Sequence, residues 1–175
     1  MEATTAGNIT SHVTKGFVLA VILIIYSITG HLANLFKYDW FVMEGVGIFV
    51  AGVIWGIINH AGQMKGNVTF QTLLVHGLRL TAVFTCLYFI YTLLEVYVLF
   101  PHYLDGLVKE MALRTANAGK IDQDKFDENK NEARKVLATM RFAGMVMGPM
   151  IIGLLATMLG GVLAKKNPQA STVKQ

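Results

Sequence analysis

Four apolar runs, each long enough to cross a lipid bilayer, constrain this chain more than any other feature. About 30 Å of hydrocarbon at about 1.5 Å per helical residue requires about 20 residues, and residues 17–36, 40–58, 72–100 and 142–164 each meet that length. Lipid offers no partners for backbone N–H and C=O groups, so runs of this length must form helices, and they are too long for barrel strands. The balance elsewhere agrees: of 175 residues, 54% are hydrophobic and only 15% charged, the reverse of a soluble domain's needs. The expected fold is therefore an all-α integral membrane protein with four transmembrane helices and the lipid bilayer as its first partner.

The connections set the topology. Lys37-Tyr38-Asp39 is short enough to force the first two spans into an antiparallel pair. The third span ends at Phe100-Pro101, where proline cannot continue the ladder, and the fourth lies between Arg141 and Lys165-Lys166. Between them, residues 101–141 form a charged insert. Leu104, Leu107, Val108 and Met111 recur at helical spacing, Asn117-Ala118-Gly119 supplies a turn, and Asp122 is placed to cap a second helix, with Ile121 and Phe126 as a staple. Phe126, Ala133, Leu137 and Met140 mark the second helix's face, which points to an extramembrane helical hairpin. Residues 1–166 thus read as one four-helix membrane domain and 167–175 as a disordered tail.

The first span is expected to be retained, because His31 stands where signal cleavage needs a small residue. Lysines flanking the spans, Lys15, Lys65, Lys165, Lys166 and Lys174, place both termini in the cytoplasm against Lys37 in the outer turn. The insert opposes this with eight Lys and Arg; Arg79, near the end that Lys65 marks, supports it. Asn8-Ile9-Thr10 and Asn67-Val68-Thr69 match the glycosylation triplet, but neither is expected on the outer side.

Candidate functional residues are those that are costly or unusual in lipid. Gly45, Gly52, Gly56, Gly144, Gly148 and Gly153 give helix-packing faces, since small residues four apart let two backbones approach; the partner helix belongs either to this chain or to another. Pro149 adds an expected kink. His31, Glu44 and Glu95 lie toward one side and are candidates for an ion or proton site, unless they snorkel to the interface. His60, His76 and Arg79 collect toward the other side as a polar cluster, with His76 and Arg79 at i and i+3 on one face. Two histidines at similar depth also raise haem ligation, yet no other feature demands it, and Met140, Met145, Met147 and Met150 read as packing residues rather than copper ligands. Cys86 stands alone in an apolar run, so neither a disulfide nor a Cys-rich metal site is available. No nucleophile with a matched base, phosphate loop or metal motif is present, so no catalytic residue, metal or cofactor is assigned. The net charge of +4 lies beside hydrophobic segments, not in a basic stripe, which argues against nucleic acid.

A wider pattern covers about Gly16 to Lys166: Gly66-Asn67-Val68-Thr69-Phe70, an apolar span with Gly77, Phe100-Pro101-His102-Tyr103-Leu104-Asp105, a Lys- and Met-bearing insert, and a glycine-rich span closing on Lys165-Lys166. It resembles a bacterial family of small membrane proteins, domain-of-unknown-function family 4199. Gly66 and Thr69-Phe70 match the family's glycine and Ser/Thr-Phe before the third span, and Phe100-Pro101-His102-Tyr103 matches in part its Asn-Pro-Asp-Phe-like element. The resemblance implies a four-helix protein of the bacterial cytoplasmic (inner) membrane and supplies no activity or functional residues. The leading expectation is a non-enzymatic accessory or scaffold protein that engages a membrane-protein partner or a second copy of itself through its glycine-rich helix faces or the helical insert. A small transporter or proton/cation pathway through His31, Glu44 and Glu95 is the alternative, and a haem-bearing electron-transfer subunit the third.

Overall fold

Ser11 starts the first helix earlier than the apolar run suggests. Its hydroxyl accepts from the Thr14 amide at 3.2 Å, satisfying one of the unpaired N–H groups of a helix N-terminus, so α1 spans His12–Leu32. It ends because Asn34 turns left-handed, with φ 52°. A 3₁₀ turn over Leu35–Lys37 then leads into α2, Asp39–Gln63. In the computed structural model, the described residues are 11–64, 67–102, 105–109 and 130–166, with the side chains of 130–133 and Lys166 excepted.

Helix α3 covers Phe70–Leu94 and passes directly into a π-helical segment, Glu95–Leu99, closed by the Phe100 amide on the Glu95 carbonyl at 2.8 Å. Residues 105–109 are helical. Helix α4, Lys130–Lys166, continues through Pro149, so residues 130–141 of the insert and the last span form one unbroken helix. Four helices have the length and composition to cross a membrane, and no strand occurs among the described residues. The expected turn at Asn117-Ala118-Gly119, the Asp122 cap with its staple, the first glycosylation triplet and the tail 167–175 lie outside the described residues.

The chain divides into two compact units, 1–87 with 148–175, and 88–147. In the first, Val53, Ile57, Leu73 and Leu80 are completely buried, with Leu19, Leu23, Phe49 and Phe84 beside them. Lipid-facing bundles gain no hydrophobic energy by bringing helices together, so close backbone approach must supply it. Glycine provides that approach at each seam: a Cβ at Gly16 would meet the Leu80 carbonyl at 2.8 Å, one at Gly52 would strike Leu19, and one at Gly160 would press on Ile57 at 3.1 Å. The seam of α3 with the end of α4 is reciprocal. A Cβ at Gly77 would lie 2.5 Å from Thr157, and one at Gly153 would lie 2.5 Å from Thr81, so each helix offers a glycine and a threonine one turn apart to the other's threonine and glycine.

In the second unit, Val96, Thr92 and Val108 are buried, and Phe142 contacts the rings of Phe89 and Tyr97 with centroids 6.0 and 6.1 Å away. Arg134 ties 105–109 to α4 through Asp105 at 3.5 Å and also reaches the Pro101 carbonyl.

Candidate functional site

Among the described residues, polar groups gather in each unit. In the first unit, the start of α1, the end of α2 and the start of α3 surround a cavity of about 510 Å³. His60 comes from the last turn of α2, because the helix continues to Gln63, and His76 and Arg79 come from the early turns of α3. The His60 and His76 rings stack face to face, 3.7 Å between centroids and 5° from parallel. His12 meets His76 edge to face at 5.9 Å. Arg79, Gln71 and Thr72 complete the polar wall. Behind it, the buried Lys15 donates to the Gly56 carbonyl at 3.2 Å.

The sequence pattern points to His60, His76 and Arg79 and passes over His12 and Lys15. By hydropathy Lys15 flanks the span from outside; the Ser11 cap draws it into α1, where glycine at position 56 leaves the α2 carbonyl reachable. The available signal is Ser11 followed by Thr14, a capping pattern ahead of the apolar run. Stacked rings do not direct two imidazole nitrogens at a common iron, so this geometry gives the haem reading no support. Among the described residues, no three His, Cys, Asp or Glu side chains are grouped to hold a metal ion.

The second place is the junction of α3 with its π segment. Glu95 is 1% exposed, and the Arg141 guanidinium of α4 donates to its Oε2 at 2.5 Å. The Tyr91 hydroxyl, one turn earlier, donates to Oε1 at 3.4 Å. A π turn widens the helix and is frequent at functional positions; here it begins at the paired carboxylate. In the apolar pattern Arg141 marks only the boundary of the last span. An arginine at the start of one span and a glutamate at the end of the preceding one nevertheless fall at the same membrane face of an antiparallel pair.

His31 packs its ring on Phe36, 4.6 Å between centroids. Glu44 is exposed, with Oε2 3.2 Å from the Tyr26 hydroxyl, which donates to the Phe41 carbonyl at 2.7 Å. Among the glycines, a Cβ at Gly45 would lie 3.3 Å from Tyr26 and one at Gly56 would lie 2.6 Å from Leu80, whereas one at Gly144 or Gly148 would meet nothing within 4 Å among the described residues.

Four long apolar helices, lipid-compatible side chains over most of their outward faces and paired ionisable groups inside define a multi-pass α-helical membrane protein. Within that class, the chain belongs to the protein family of unknown function DUF4199, whose family profile matches residues 14–166. No curated protein and no solved structure matches it.

Proposed function

We propose that this protein is a non-enzymatic accessory or scaffold subunit of the bacterial cytoplasmic membrane, with both termini cytoplasmic, that docks another membrane helix on α4. The observation that carries this reading is the contrast between its glycines. Gly52, Gly56 and Gly153 are used up by neighbours in the chain, while Gly144 and Gly148, one turn apart, have no such neighbour among the described residues. Met140, Met147, Ile151 and Leu155 extend the same side of α4 and are exposed. A second transmembrane helix laid along that stripe would gain the backbone approach that small residues permit.

The test is purification of the intact protein from native membranes in mild detergent, comparing wild type with Gly144→Leu and Gly148→Leu. A co-eluting protein or a second copy that is present with wild type and lost from both variants, at unchanged thermal stability, supports docking. Equal co-elution in all three, or a monodisperse monomer throughout, overturns it.

A second reading, a proton or cation pathway, draws on the burial of Glu95 at the π segment. Buried ionisable groups within spans are rare and are candidates for ion or proton routes. Proteoliposomes under an imposed pH gradient would show a flux that Glu95→Gln abolishes; equal flux in wild type and empty vesicles rejects it.

A further inference from the structure

The cavity at the start of α1 and α3 has a basic lining. Two helix N-termini border it, His12 opening α1 and Phe70 opening α3, together with the C-terminal turn of α2 that carries His60, and the backbone dipole favours negative charge at the two N-terminal ends. Its lining includes the Arg79 guanidinium and three imidazoles but no carboxylate. The buried Lys15, in the first turn of α1, adds a further amine. An independent observation points to a ligand: His76 is only 8% exposed, yet its Nε2 has no hydrogen-bond partner among the described residues, and the Nδ1 of His60 stacked against it is in the same position. Buried polar atoms are nearly always paired, so orphaned nitrogens on two residues that line the cavity point to an acceptor or donor from outside the chain.

We propose that this cavity binds a phosphate ester, the headgroup of an anionic phospholipid being the form the surroundings favour. Arginine's planar fork matches phosphate oxygens in pairs, and imidazole N–H groups, the Gln71 amide and the Thr72 hydroxyl supply the shorter-range donors. The depth fits a headgroup. Helix α2 has 25 residues, or about 37 Å at the usual rise, against about 30 Å of hydrocarbon, so its last turn, carrying His60, stands at the interface. Next to the cavity, Val13, Phe17 and Val75 are exposed apolar residues, suited to the acyl chains that a lipid headgroup brings with it. A volume of about 510 Å³ exceeds what a bare phosphate fills and leaves room for its alcohol. This site is independent of the docking stripe on α4.

The experiment is native mass spectrometry of the intact protein in detergent, titrated separately with phosphatidylglycerol, phosphatidylcholine and soluble glycerol 3-phosphate. Phosphatidylglycerol is expected to bind in a one-to-one complex that outlasts the phosphatidylcholine adduct. Arg79→Gln and His12→Gln, both at the cavity's accessible rim, are each expected to weaken it by roughly tenfold or more, the worth of one hydrogen bond to a charged group. Lys37→Gln, which removes a cation lying over the Tyr38 ring in the α1–α2 turn, is expected to leave binding unchanged. Glycerol 3-phosphate binding with the same dependence on Arg79 and His12 would keep the phosphate site and assign its ligand to the aqueous phase. Equal retention of the two lipids with no glycerol 3-phosphate complex, or insensitivity to both cavity variants, overturns the proposal.

Discussion

At the scale of single residues, the Glu95–Arg141 pair shows how a charge is kept inside a span. A carboxylate in a low-dielectric setting is stabilised by a close, hydrogen-bonded partner of opposite charge, and removing one member of such a pair leaves the other less compensated. Arg141→Ala is therefore expected to lower stability by up to about 3–5 kcal/mol, measured as a drop in the unfolding midpoint in detergent. Replacing both residues together, Glu95→Leu with Arg141→Met, should recover most of that loss. If the single variant unfolds where wild type does, the pair has no such role. The two charges are individually visible in the sequence, but their pairing is not. Depth along a helix can be counted from sequence. The direction a side chain faces around that helix depends instead on which helix lies beside it. Depth alone likewise brings His60 and His76 to one level without revealing that their rings stack.

At the scale of elements, the reciprocal seam of α3 with the end of α4 explains why these two helices accept no larger residues there. Gly77→Leu or Gly153→Leu must displace Thr157 or Thr81, and overpacking of this kind costs about 1–3 kcal/mol or more. Each single variant should melt below wild type when intrinsic fluorescence is followed on heating. Gly77→Thr combined with Thr157→Gly preserves the summed volume and should melt above Gly77→Thr alone. The glycine spacing that announces close packing is legible in the sequence. Threonine's share in it is not, because Thr81 and Thr157 read as ordinary span residues until a glycine is set opposite each. The span boundaries are legible to within a few turns. Their departures trace to local chemistry outside hydropathy: the Ser11 cap at the start of α1, the left-handed Asn34 at its end, and the uninterrupted helical run ahead of Arg141 in α4.

For the whole molecule, four helices able to cross the membrane require successive connections to emerge on opposite faces. With Cys86, the exposed native thiol, replaced by serine, Lys37→Cys and Asn67→Cys should therefore react with a membrane-impermeant maleimide from opposite sides of sealed vesicles. Labelling of both from one side would contradict the four-span arrangement. The family assignment and the helix count are within reach of the sequence, since apolar length is a property of the chain alone; the activity is not, since it depends on groups that only folding assembles. Helix α4 carries a last consequence. Its 37 residues extend about 55 Å, nearly twice the hydrocarbon thickness, so one continuous helix must pass from water into lipid. Its amide protons should divide accordingly: those around Arg134 and Lys135 exchanging with deuterium through simple fraying in water, and those beyond Gly148 held for far longer, because no exchange catalyst reaches them in the bilayer.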